Sequence, residues 1–277
     1  MSTTSDKEHD AQAAQDARYL SLFTAAVMKS AAYRPRFGQG KSGGVSLEDF
    51  QKLYGSDPFY SWVGLDSPLM YAAHKAAGGM TSIYRQVGVG CERIFQAVLC
   101  NTLKLTPQQA SWKYETVGAN GKPRFLKLDG RIQFQDVNDS DARDRLENWF
   151  RQSAAKLLIE PDLQPTLEGV VFEVRQGYKS MDSKRQNADI SNASSAYLHR
   201  YMPVLVLVST QIDATLLERY QGERWLMLRG MLAGQTTEST YAFCREVIGY
   251  DLAAFFQRNS TAMKETITAV LSALLKA

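Results

Sequence analysis

The sequence predicts an α/β fold in which a mixed central sheet is flanked by helices, with further helical regions at both ends. Residues 112–117 and 123–134 alternate apolar and polar side chains and are joined around an Asn-Gly dipeptide, which is typical of a β-hairpin. Residues 169–209 contain two apolar runs with a helical pattern between them, which indicates a strand–helix–strand unit. Together these two patterns favour a mixed sheet over an all-helical fold.

The chain is expected to fold as a single domain over residues 16–277. Residues 1–15 carry charges of both signs and lack an apolar pattern, so they are expected to form a disordered tail. Helical patterning dominates 16–80 and again 237–277, and the α/β core is expected over about 81–230.

Within the core, apolar residues recur at helical spacing over 83–103 and 141–158, which predicts a helix in each segment. Strands are predicted over 169–177 and 203–209, where apolar residues run almost without interruption. The intervening residues, 184–201, return to helical spacing. This order of elements is typical of an α/β core with helical additions.

Composition and charge exclude several classes of protein. A net charge of +3 is far from the excess of a histone-like protein, so any nucleic-acid binding must come from a local basic surface. The three cysteines form no CxxC pair and are expected to be buried in a reducing compartment. The longest apolar run, near 203–208, is far shorter than the ~20 residues of a membrane span, so we expect a cytoplasmic protein.

The residues with the clearest chemical meaning lie in the strand that begins near residue 169. Glu173 is placed there among apolar neighbours, and a buried lone carboxylate is costly unless a cation or strong donors compensate its charge. A local excess of basic side chains, suited to neutralising phosphates, follows it in the sequence: Arg175, Lys179, Lys184 and Arg185.

This combination resembles the core of the PD-(D/E)XK nucleases, which include most type II restriction endonucleases. The order of predicted elements over 83–209 is similar to the family core of a helix, a hairpin, a strand bearing the glutamate, a helix and a strand. The resemblance implies a sequence-specific endonuclease that hydrolyses double-stranded DNA with Mg²⁺ as its cofactor. It also implies that Glu173 and a second acid bind the metal and that a lysine helps to polarise the attacking water.

The lysine of the family motif is replaced in this chain. Arg175 stands two residues after Glu173, and arginine stabilises charge but does not exchange protons near neutral pH. Lys179 is the alternative source of the amine, provided that a bulge at Gly177 turns it toward the same face. Two other interpretations stay open: a repair or junction nuclease of the same core, and a non-catalytic DNA-binding or interaction module with a structural Glu173–Arg175 pair. The missing lysine favours the second of these.

The second acid is ambiguous from the sequence. Asp162 follows a proline, as in the family motif, but the residues after it are poor strand formers. Asp129 begins a segment with the alternation of a hairpin strand, although a helix then separates it from Glu173. Glu92, early in the helix predicted over 83–103, is a third candidate, because family members often carry a glutamate on this helix.

The residues that read DNA are expected at the start of the helix after the strand. Amide side chains can make bidentate contacts to adenine, whereas basic side chains contact guanine or phosphate. The candidate DNA contacts are Arg175, Ser180, Lys184, Arg185, Gln186 and Asn187.

Two partners are implied by the resemblance: a second copy of the chain, because a palindromic site matches a two-fold axis, and a cognate DNA methyltransferase. The C-terminal helices carry apolar side chains that either pair between two copies or belong to the core: Phe243, Val247, Phe255, Phe256, Val270 and Leu274.

Overall fold

A mixed sheet of four strands flanked by helices confirms the predicted α/β class. The computed structural model describes residues 4–38, 43–117, 123–177 and 192–276. The chain divides into two compact units, where one domain was expected: the first unit is Met1–Gly90 with Arg258–Ala277, and the second is Cys91–Gln257. In the described ranges, no helix is both long and apolar enough to cross a membrane.

The first unit is helical. Its elements are α1 (Thr4–Val27), a 3₁₀ turn (Met28–Ala32), α2 (Leu47–Gly55), α3 (Pro58–Trp62), the first part of α4 (Pro68–Thr102) and α10 (Ser260–Leu275). Helix α1 includes residues 4–15, which were expected to form a disordered tail. The helix can extend through this segment because Thr4–Val27 contains neither glycine nor proline. Asp16 also fixes it in place, since its carboxylate accepts a hydrogen bond from Arg258 Nε at 2.6 Å.

The second unit contains all the described strands. Its elements after α4 are β1 (Trp112–Val117), β2 (Pro123–Leu128), β3 (Gly130–Gln133), α5 (Ser140–Lys156), β4 (Gly169–Arg175), α6 (residues 192–198), β5 (Tyr201–Leu207), α7 (Ala214–Gly222), β6 (Leu226–Leu228), α8 (Thr240–Ala242), a π-helical turn (Phe243–Ile248) and α9 (Leu252–Arg258). Strands β1 and β2 pair as the predicted antiparallel hairpin. The four-stranded sheet has the order β3-β4-β5-β6, in which β3 is antiparallel to β4 and the other neighbours are parallel.

The two faces of the four-stranded sheet pack against different elements. On one face, the ring of Phe172 lies 5.1 Å from that of Phe95 in α4 and 5.9 Å from that of Phe243. The opposite face carries Val171 and Leu205, which share a core cluster with residues of the β1–β2 hairpin and of α6 and α7. Because side chains alternate along a strand, residues 171, 173 and 175 of β4 all belong to this second face.

The segment predicted as one hairpin strand over 123–134 is interrupted at Asp129. Strand β2 ends at Leu128 and pairs with β1, whereas β3 begins at Gly130 and pairs with β4. A Cβ atom at Gly130 would lie only 3.3 Å from Leu99 Cδ1, so the absence of a side chain lets the chain pass close to α4. The interruption leaves Asp129 between the two sheets.

The C-terminal apolar side chains belong to the cores of their own units. Five of the six candidates are buried: Phe243, Val247, Phe255, Val270 and Leu274. Phe256 is half-buried, and its ring lies 5.4 Å from that of Phe255. The core interpretation of these residues is therefore the one that the structure favours, and they offer no exposed face for a second copy.

Candidate functional site

Asp129 and Glu173 lie where β3 meets β4. The backbone amide of Asp129 donates to the carbonyl oxygen of Phe172 at 2.8 Å, and the amide of Val174 donates to Asp129 Oδ2 at 2.8 Å. These bonds lie on either side of Glu173. The register of β3 and β4 ends at Gly130 opposite Phe172, and Asp129, the residue before it, reaches β4 through these two bonds.

The carboxylate of Asp129 is held by the backbone of β4. Beyond the end of β3 the ladder has no further backbone acceptor for the amide of Val174, and Asp129 Oδ2 takes that position. A hydrogen bond of this kind stabilises the ionised carboxylate. The local fold therefore fixes the position of the Asp129 carboxylate.

The charge on Asp129 nevertheless has a cost in free energy. Burial, and secondly the nearby carboxylate of Glu92, raise the pKa of Asp129 from 3.8 to about 6. The hydrogen bond from Val174 and the positive charges of Arg175 and Lys127 lower it, but they do not offset the first two effects. A buried carboxylate beside a second acid is a site where a cation stabilises the ionised form.

Glu173 is the most deeply buried of the candidate acids, with 5% of its surface exposed. Its carboxylate forms an ion pair with the guanidinium of Arg175, two residues later on the same face of β4. The pair compensates the buried negative charge, as the interaction-module interpretation predicted. The amide of Val174, the residue between the two members of the pair, donates to a further acid, Asp129.

Two residues outside the sequence-predicted site approach it from β1 and β2. Lys127 Nζ lies 3.6 Å from Glu92 Oε1, and its charge acts on Asp129 two residues later. Lys113 is the partner of Lys127 across the hairpin, and both side chains are exposed. The sequence did not reveal this pair, because a two-residue turn at Asn-Gly would place residue 113 opposite residue 128, one position away from the observed register.

Of the two alternatives for the second acid, Asp129 is the one that bonds to β4 on either side of Glu173. Asp162 is exposed in the turn before the 3₁₀ segment Gln164–Thr166, which precedes the first residue of β4. Glu173 is four residues into that strand, ~13 Å further along at 3.3 Å per residue. Asp162 is thus a turn residue at the other end of β4.

Several predicted site residues lie in the segment 178–191, outside the described residues. They are Lys179, the alternative source of the amine, and the proposed DNA contacts Ser180, Lys184, Arg185, Gln186 and Asn187. Arg175 is described, and its guanidinium binds Glu173.

The described acids are of a kind that binds Mg²⁺. Within the described ranges, no three His, Cys, Asp or Glu side chains converge on one ion position. Mg²⁺ commonly binds through one or two carboxylates and fills its other positions with water and phosphate oxygens. Asp129 and Glu173 are two carboxylates where β3 meets β4, and Glu92 adds negative charge beside Asp129.

Comparisons with known proteins identify no relative: no protein-family model, curated protein or solved structure matches this chain. The function of the site must therefore be inferred from its own residues.

Proposed function

We propose that this chain is a Mg²⁺-dependent nuclease of the PD-(D/E)XK type that cuts double-stranded DNA. The observation that supports the proposal most strongly is that Asp129 bonds to Phe172 and Val174, the residues on either side of Glu173, at the end of a strand antiparallel to the strand that bears the glutamate. The family pattern requires two acids on adjacent strands. The raised pKa of Asp129 adds support. Burial and the charge of Glu92 both disfavour the ionised carboxylate, and a bound divalent cation would offset that cost.

Asp129 and Glu173 are the proposed metal ligands, and Glu92 lies close enough to Asp129 to influence its charge. A Mg²⁺ ion bound there supplies positive charge to the phosphate and lowers the pKa of a bound water molecule. Arg175 keeps the Glu173 carboxylate oriented and reduces its repulsion of the DNA backbone. Since arginine stays protonated, it is not the base of the reaction.

Among the residues that the structure describes, Lys127 is the lysine that we assign to the site. Its ammonium group lies 3.6 Å from Glu92 Oε1 and stabilises negative charge on Asp129. In this position it can orient a water molecule or neutralise charge that builds up on the phosphate. Hydrolysis forms a bond between water oxygen and phosphorus and breaks the P–O3′ bond, which leaves a 5′-phosphate and a 3′-hydroxyl.

We further propose that the enzyme is of the type II restriction class, acts in the cytoplasm as a homodimer and is accompanied by a cognate methyltransferase. The basic and amide side chains over 184–187 are the proposed base-reading residues, whose types match major-groove recognition. The exposed lysines Lys113 and Lys127 are placed to contact phosphates on the approach to the acids.

Digestion of phage DNA with Mg²⁺ and with EDTA tests the proposal directly. The protein should give discrete fragments with Mg²⁺ and none with EDTA. Glu173→Ala and Asp129→Asn should each abolish cleavage while gel shifts still detect DNA binding. Asp162→Asn, which alters an exposed turn, is the matched control and should cleave normally. Full activity of Glu173→Ala would remove the assignment.

A non-catalytic DNA-binding or interaction module is the second candidate, and the Glu173–Arg175 ion pair is the observation that favours it. In that case the pair stabilises β4 and Asp129 only terminates β3. The two candidates differ in their response to Mg²⁺: a module without a metal site shows neither Mg²⁺-dependent cleavage nor a Mg²⁺-dependent rise in thermal stability.

A further inference from the structure

A cavity of about 330 Å³ lies in the second unit beside β6, which is an edge strand of the four-stranded sheet. The end of α5 and one side of α7 form its other walls. Most of its lining residues are apolar: Leu157, Leu158, Leu217, Trp225, Leu226 and Met227. This volume is at the lower end of the range of small-molecule sites, ~300–1,000 Å³. We call this space the β6 cavity.

The charged residues that line the β6 cavity are Lys156, Arg229 and Glu238. Lys156 Nζ lies 2.6 Å from Glu238 Oε1, so these two charges compensate each other. Arg229 is half-buried, and within the described ranges its guanidinium makes no hydrogen bond or ion pair. The hydrogen bond and the charge of Lys156 lower the pKa of Glu238, and the charge of Arg229 adds to this effect. The lining thus carries one positive charge in excess, which favours an anion.

Trp225 adds a second polar group to the wall of the β6 cavity. Its side chain is fully buried, and among the described residues its indole Nε1 has no hydrogen-bond partner. The indole nitrogen is a donor only, and a buried donor without an acceptor costs free energy. An oxygen atom of a bound molecule would supply the missing acceptor. Two donors of the lining, on Arg229 and Trp225, are therefore available to an anionic ligand.

Leu158 lines the β6 cavity from a position where glycine is the usual residue. It follows α5 with a φ of 54°, in the left-handed region, and the amide of Ile159 closes the helix end on the carbonyl oxygen of Ala154 at 3.0 Å. A leucine at this position has a backbone cost that glycine would avoid. Its side chain is 79% exposed, so burial in the core does not offset that cost. What the leucine adds is apolar surface to the lining of the cavity.

We propose that the β6 cavity binds a small organic acid. Its carboxylate pairs with Arg229, whose guanidinium can donate two parallel hydrogen bonds to the two carboxylate oxygens. Its hydrocarbon part packs against the leucines and Met227, which remove it from water. The site is independent of the proposed nuclease function, because neither Asp129 nor Glu173 lines the cavity and β6 is the edge strand at the other end of the sheet from β3.

Titration of the full chain with simple acids and amines tests the proposal. The probes are octanoate, octanamide and octylammonium, which share a similar hydrocarbon chain, and acetate, which has the carboxylate without the chain. The chain has four tryptophans, and the loss of one indole N–H signal in Trp225→Phe identifies the signal of Trp225 in nitrogen-15 NMR spectra. Octanoate should shift this signal saturably and should bind at least about tenfold more tightly than octanamide. Acetate and octylammonium should not shift it.

Variants measured by calorimetric titration with octanoate locate the carboxylate. Arg229→Gln should weaken binding by about tenfold or more, and Arg229→Lys should keep part of the affinity. Glu238→Gln should strengthen binding, because it removes the negative charge of the lining and releases Lys156 from its ion pair. Arg151→Gln, which changes an exposed arginine of α5 outside the cavity, is the matched control and should bind octanoate as the unaltered chain does.

Several results would overturn the proposal. These are no binding of octanoate, equal affinity for octanoate and octylammonium, or octanoate binding that leaves the Trp225 signal unmoved. Unchanged affinity in a folded Arg229→Gln variant, or an equal loss in Arg151→Gln, would also overturn it. Melting curves show whether each variant is folded. If Arg229→Gln does not fold, Glu238→Gln decides, since weaker or unchanged binding in that variant would contradict an anion in the cavity.

Discussion

The carboxylate of Asp129 accepts a hydrogen bond of 2.8 Å from the backbone amide of Val174, the residue that follows Glu173 in β4. The amide of Asp129 itself binds the carbonyl oxygen of Phe172, on the other side of Glu173. A side chain thus completes the β3–β4 ladder at its end, and these bonds hold Asp129 against the part of β4 that contains Glu173. Metal affinity, pH dependence and stability should therefore all respond to substitution at position 129.

Asp129→Asn should stabilise the protein at neutral pH. The folded-state pKa of Asp129 is raised from 3.8 to about 6, so the stability that this group confers is fully present below pH 3.8 and is lost as the pH rises through 6. The full loss is on the order of 2–3 kcal/mol. Asparagine can still accept the Val174 bond but carries no charge. In urea, the free energy of unfolding of Asp129→Asn should exceed that of the unaltered chain at pH 8 and should be close to it at pH 4. Equal free energies at pH 8 would contradict the raised pKa.

Mg²⁺ should raise the melting temperature of the unaltered chain and should do so more at pH 8 than at pH 5. The reason is that protonation of Asp129, with a pKa of about 6, removes one of the two proposed metal ligands. Scanning fluorimetry with and without Mg²⁺ measures the effect, and calorimetric titration gives the affinity.

Asp129→Asn and Glu173→Gln should each abolish the Mg²⁺-dependent shift, whereas Asp162→Asn should keep it. If Mg²⁺ raised the melting temperature of all of these variants equally, the ion would bind elsewhere on the chain.

The sequence was sufficient to predict those elements that local patterns specify. The Asn-Gly dipeptide predicted the β1–β2 hairpin, and the apolar runs predicted β4 and β5, which cover Gly169–Arg175 and Tyr201–Leu207 in the structure. These patterns succeed because turn chemistry and burial are properties of short segments.

The position of Asp129 beside β4 could not be predicted from the sequence, because it depends on pairing between distant segments. Strand β3 leaves its hairpin partner and pairs with β4, although α5 lies between them in the sequence. No sequence pattern near Asp129 indicates that the strand changes its pairing partner. Likewise, the ion pair of Lys127 with Glu92 joins β2 to α4. Helical or strand periodicity describes a single element, so it could not predict this contact.

Arg175→Ala should destabilise the protein strongly, because it leaves the buried carboxylate of Glu173 without its ion pair. The loss of unfolding free energy should be on the order of 3 kcal/mol. Glu173→Gln in the same background should recover part of it, since the uncompensated charge is then absent. Denaturant unfolding of the two single variants and the double variant measures the coupling.

The effect of Mg²⁺ on the stability of Arg175→Ala tests the proposed metal site. If the site binds the ion, Mg²⁺ should restore part of the stability of Arg175→Ala, because it replaces the lost positive charge beside Glu173. The same ion should have no effect on the Glu173→Gln/Arg175→Ala double variant. An Arg175→Ala variant that is insensitive to Mg²⁺ would favour the structural ion pair of an interaction module.

Lys127→Met should reduce the rate of DNA cleavage by about 10²-fold, a common cost of losing a positioned charged group from an active site. Methionine keeps most of the length and apolar stem of lysine, so the hairpin should stay folded. Loss of the ammonium removes the 3.6 Å pair with Glu92 and a positive charge that lowers the pKa of Asp129. The pH at which cleavage reaches half its maximum should therefore rise.

Lys113→Met is the matched control for Lys127, because the two lysines are partners across β1 and β2 and are both exposed. It should weaken DNA binding and lower the salt dependence of that binding without moving the pH profile. Single-turnover cleavage at saturating enzyme separates the two effects. Equal rate losses with an unchanged pH profile in both variants would show that Lys127 acts only as a phosphate contact, and the assigned amine would then have to come from another residue.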